Sequence, residues 1–169
     1  TNAEDIAQLI IFYHSVGNYS QRDRLISLAH DGISQEGSPQ RKVYRALKLL
    51  KAIAEIKLTR EAEDLSLLIQ ARIREITQQG TTQQETREDA SFDLAVIIFS
   101  HPQSFPATDE RNKALYYLLS EISTISPFTI SPYKIKFLLA LARYYHEDGS
   151  FLERDKAIGE INTLLLHYP

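Results

Sequence analysis

Between residues 40 and 58, apolar side chains fall at Val43, Ala46, Leu47, Leu50, Ile53 and Ala54, the three-and-four spacing of one helix face. Residues 61–76 repeat the spacing with Leu65, Leu68, Ile69, Ile73 and Ile76. No alternating, strand-like pattern persists for a useful length. Helix-start signals agree. Ser38-Pro39 and Ser131-Pro132 each put a hydroxyl acceptor before a proline at the first helical position, where a missing N–H costs nothing. Thr59 and Thr108 precede Glu61 and the pair Asp109-Glu110, acids that suit the positive end of a helix dipole, and Ser20 can cap in the same way. Breaks fall near Gly17, Gly37, Gly80, Pro102 to Pro106, Pro127 and Gly149.

These signals predict an all-α chain of eight helices, at 3–16, 20–35, 39–57, 60–78, 86–100, 108–125, 132–147 and 152–167, in four antiparallel pairs. The pair turns fall near 17–19, 58, 101–107 and 148–151, a period of about 44 residues. The segment 77–86 reads as a connection between two pairs, not a domain boundary, so 1–169 is expected to be one helical-repeat domain. The chain has no Met, even at its start, and reads as a processed protein or a piece of a longer one.

One phrase occurs twice. "YHSVGNYSQRDR" at 13–24 and "YHEDGSFLERDK" at 145–156 share Tyr-His-x-x-Gly-x-aromatic-x-x-Arg-Asp-basic, 132 residues apart. Three periods of 44 span that distance, so the phrase marks equivalent turns in the first and last pairs. Upstream, Leu138, Leu141, Ala142, Tyr145, Gly149 and Phe151 follow the large, large, small, aromatic, Gly, aromatic order of the first half of a tetratricopeptide repeat. Ile6, Leu9, Tyr13, Gly17 and Tyr19 repeat the order in the first pair. The chain thus resembles a divergent tetratricopeptide array with lengthened units. That resemblance implies a right-handed α-solenoid whose first helices line a concave groove, and it places His14 and His146 there. "DGSFLERD" also resembles the Asp-Gly hairpin of tellurite-resistance TerB-like domains, with Asp155 at the acidic position seven residues after the Asp.

Composition removes several classes of chemistry. With no Cys, disulfides, thiolate metal sites and cysteine nucleophiles are excluded, and the compartment stays open. A net charge of −3 argues against a general nucleic-acid binder. No apolar run approaches the ~20 residues of a membrane span. The five histidines form no His-x-x-x-His or His-Glu-x-x-His pair, and the acids at 61–64 and 88–93 stand at helix starts without a calcium-loop pattern. No Gly-rich phosphate loop or nucleophile elbow is present. No catalytic, metal or cofactor site is therefore expected.

Charge placement is more informative. Residues 38–60 hold seven basic residues and one acid in a chain that is otherwise acidic. Arg41, Arg45 and Lys48 form a stripe opposite the apolar face of that helix. Lys136, Arg143 and His146 recur at helical spacing on the first helix of the last pair, and His14 is the counterpart in the first pair. These residues lead to an expected function, a non-catalytic protein-interaction module whose groove binds an extended or helical segment of another protein, with an acidic stretch or a chain terminus suiting the cations. The alternative is a regulatory helical domain sensing a small molecule or metal ion between helical pairs.

Overall fold

The computed structural model describes residues 2–78, 84–101, 103–105 and 132–166. Among the described residues there are seven helices and no strand. They are α1 (Ala3–Ser15), α2 (Tyr19–Gln35), α3 (Pro39–Glu55), α4 (Thr59–Gln78), α5 (Gln84–Ser100), α6 (Pro132–Asp148) and α7 (Phe151–Leu166). The chain is all-α, and each of these bounds lies within two residues of the sequence expectation. The helix expected at 108–125 and part of the connection expected at 77–86 lie outside the described residues.

Capping explains the small shifts. The Asn2 side chain accepts from the Glu4 amide at 3.0 Å, Asn18 from Gln21 at 3.3 Å and Ser38 from Arg41 at 3.4 Å. Asn18 takes the role expected of Ser20, so α2 starts one residue earlier. Thr59 is already helical, and the Leu58 carbonyl accepts the first bond of α4 from the Ala62 amide at 2.9 Å.

The chain divides into two compact units, 1–90 and 91–169, with α5 contributing to both. In the first unit α3 packs on α1, α2 and α4, and α1 packs on α2. Surrounded this way, α3 buries more than one stripe, Leu49 and Ala52 as well as Val43, Ala46, Leu47, Leu50, Ile53 and Ala54. On α4, Ala62, Leu65, Ile69, Ile73 and Ile76 are buried, while Leu68 sits on the exposed flank. In the second unit α6 packs on α7, and Phe137, Leu138, Leu141, Tyr144 and Ala157 are buried.

The turns after α1, α3 and α6 share one backbone design. The amides of Asn18, Leu58 and Ser150 donate to the carbonyls of Tyr13, Ile53 and Tyr145 at 2.9, 3.2 and 2.9 Å. The amides of Gly17, Lys57 and Gly149 donate to His14, Ala54 and His146 at 3.2, 3.2 and 3.3 Å. This left-handed C-terminal cap satisfies two orphan carbonyls and leaves one residue before the next helix. The capping φ values are +79°, +63° and +80° at Gly17, Lys57 and Gly149. Equivalent positions are thus 40 residues apart between the first and second turns, shorter than the expected period.

Nothing lies within 4 Å of a Cβ built on Gly17 or Gly149, so backbone strain alone opposes a side chain there. Lys57 already bears that strain. Gly149→Val is expected to lower stability by about 1 kcal/mol or more. Lys57→Gly is expected to raise it by about 0.5–1 kcal/mol, the relief exceeding the entropy lost on folding a glycine. Urea denaturation followed by circular dichroism checks both, and an unchanged midpoint for Gly149→Val would contradict the turn assignment.

Candidate functional site

The doubled phrase builds the same side-chain clasp at both of its copies. An Arg Nη1 of the second helix donates to the imidazole Nδ1 of the first, Arg22 to His14 and Arg154 to His146, each at 2.8 Å. Arg has no acceptor, so Nδ1 must supply the lone pair and the ring in this bond is neutral. The imidazole serves as an acceptor here, not as the cation that a helix C-terminus favours. The guanidinium carbon lies over an aromatic ring, 4.5 Å from the Tyr19 centroid and 4.7 Å from that of Phe151. Nε donates to the neighbouring carboxylate, Asp23 at 2.9 Å or Asp155 at 3.1 Å. His14 is half-buried and His146 exposed, and both side chains are turned toward α2 and α7 respectively.

The basic stripe of α3 divides. Arg45 is half-buried and pairs with Glu36 at 3.3 Å, its Nη1 3.4 Å from where a Cβ on Gly32 would stand. Lys48 reaches α1 and pairs with Glu4 at 3.0 Å, with its ammonium 5.4 Å from the Tyr44 ring centroid. Arg41 is exposed. The outward row of α3 is instead Arg41, Tyr44, Lys48 and Lys51. Lys51 is one of the seven basic residues of 38–60, and Tyr44 stands in the same run. The spacing 41, 44, 48, 51 was the available signal for both. On α6, Lys136 and Arg143 are both exposed, two turns apart on one side.

The turns register these rows. Counted from Lys57 and Gly149, Lys51 and Arg143 hold one position, and Tyr44 and Lys136 another. No protein-family model, no curated protein and no solved structure matches the chain. Among the described residues no group of three His, Cys, Asp or Glu side chains could hold a metal ion. No described helix is long and apolar enough to cross a membrane. A cleft of about 240 Å³ between α1, α2 and α3 is lined by Ala3, Ala7, Leu28, Gly32 and Arg45 among others, and is smaller than a typical ligand pocket.

Lys48 holds the Glu4 carboxyl below the usual glutamate range, by hydrogen bond first and by charge second. A depressed value means that the pair stabilises the fold above the ordinary glutamate range and loses this contribution as pH falls through the lowered value. A carboxyl-carbon NMR titration should place the Glu4 midpoint below that of an ordinary glutamate and raise it in Lys48→Ala, with Gln8 and Lys51 keeping part of the lowering. The clasps differ in burial. The Arg22 side chain is 13% exposed and that of Arg154 28%. Arg22→Ala is therefore expected to cost about 1–2 kcal/mol and Arg154→Ala less, as read by denaturant midpoints.

Proposed function

We propose that the chain is a non-catalytic protein-interaction module, a right-handed tetratricopeptide-like α-solenoid whose first helices bind an extended, acidic segment of a partner. The observation that carries this reading is the recurrence of an exposed cation at one turn-registered position, Lys51 on α3 and Arg143 on α6. A second turn-registered position holds exposed Tyr44 on α3 and exposed Lys136 on α6, a ring and a cation each able to lie beside a carboxylate. Stacking in the first unit supports the array, since α3 packs on both members of the preceding pair. Arg41 and Lys48 extend the basic row, and Arg45 contributes by holding the pair junction. His14 and His146 each brace the turn of their own helical pair through their clasps.

Exposed cations steer a partner and contribute about 1 kcal/mol each, with an effect that fades in salt. Selection from a peptide library of matched acidic and neutral segments is expected to enrich the acidic ones. Lys136→Ala combined with Arg143→Ala should weaken the selected peptides about tenfold or more without changing the melting temperature. Enrichment independent of charge, or full affinity in the double variant, would contradict the proposal.

A further inference from the structure

The junction of α1, α2 and α3 stays open where most helix junctions close. Packed interiors hold few voids larger than a water molecule. The cleft here has about 240 Å³, the share of about eight waters in the liquid. Its size comes from the residues that meet there. Ala3 and Ala7 on α1 and Ala29 and Gly32 on α2 put little or no side chain into it. Ile6, Leu28 and Leu49 complete an apolar wall.

The polar groups gather at one end. Along the cleft α2 runs from Leu28 through Asp31 to Gln35, and Arg45 stands one turn before Leu49 on α3. Asp31, Gln35 and Arg45 therefore share the end nearest the connection between α2 and α3. Arg45 pairs with Glu36 through Nε at 3.3 Å, and its Nη1 rests against the bare backbone of Gly32. Its Nη groups make no hydrogen bond with a described residue, so donors remain. Asp31 is next in sequence to Gly32 and lines the same cleft. Yet its carboxylate forms no ion pair or hydrogen bond with a described residue, Arg45 included. The Gln35 amide is likewise unbonded among the described residues.

Opposite charges that share a cleft without touching leave room between them for a molecule that carries both. We infer that the cleft binds a free apolar α-amino acid of about leucine's size. Its ammonium meets Asp31, its carboxylate meets the Nη donors of Arg45, and Gln35 adds a hydrogen bond. The side chain lies against Ile6, Ala7, Leu28 and Leu49. The volume takes about ten non-hydrogen atoms at organic packing density. Charge selects the class. Arg45 against Glu36 and Asp31 leaves this end net negative, which disfavours a plain carboxylate, whereas a plain amine leaves the guanidinium donors unused. The site is independent of the acidic-segment reading, because Arg41, Tyr44, Lys48 and Lys51 do not line the cleft.

Proton–nitrogen NMR of the 169-residue chain titrated with L-leucine tests it. The amides of Ala7, Leu28, Gly32 and Leu49 should shift together and saturate with a midpoint of about 1 mM. Isocaproate is leucine without its ammonium, and leucinamide lacks the carboxylate. Each should bind at least about fivefold more weakly, the worth of one partly exposed charge pair. Asp31→Asn, at an exposed and unpaired position, should abolish the preference for leucine over isocaproate. Ala3→Leu should fill the cleft and weaken leucine binding at least about tenfold. Circular dichroism verifies folding, and if Ala3→Leu loses helix the Asp31→Asn comparison decides. The inference is overturned if leucine moves none of these amides up to about 20 mM. It is equally overturned if the three compounds bind the wild-type chain alike, or if Asp31→Asn keeps the full preference.

Discussion

One residue in the left-handed region, followed by a single linking residue, sets the course of the chain at three places. Two backbone hydrogen bonds close each of these turns, so the direction and rotation of the second helix are fixed by the first. The constraint is backbone-based and tolerates different residues, since Gly17, Lys57 and Gly149 all adopt it. Everything that follows, which side of a helix is buried and which cations align, depends on that common register.

The space beside the turn is filled in two ways. In the first and last pairs, an arginine stacks on an aromatic ring and donates to a histidine across the helices. In the second pair the histidine and arginine positions are Ala54 and Ala62, both fully buried. A polar clasp there would be desolvated where helices crowd α3, and a small apolar pair avoids that cost. The clasp therefore belongs to hairpins whose turn stays open to water.

Much of the fold was legible because helix period, prolines after serines and glycines at turns all point the same way. The residues that escaped are instructive. Lys57 occupies a glycine's place, so no local signal marked the second turn as a copy of the other two. Leu49 and Ala52 were missed because α3 is covered on several sides, and a single-stripe template finds only one. Within the candidate site, Arg41 is exposed, Lys48 reaches Glu4 on α1, and Arg45 turns to Glu36 because Gly32 leaves room for its guanidinium. The histidines were visible as a repeated pair, while their bonding to Arg22 and Arg154 depends on turn geometry that the phrase only hints at.

The central claim is that three hairpins share one turn and therefore one register. Trans-hydrogen-bond scalar couplings measured by NMR test it most directly. The account predicts couplings from the amides of Asn18, Leu58 and Ser150 to the carbonyl carbons of Tyr13, Ile53 and Tyr145. Absence of the Leu58 to Ile53 coupling, with the other two present, would contradict the common register and the equivalences built on it.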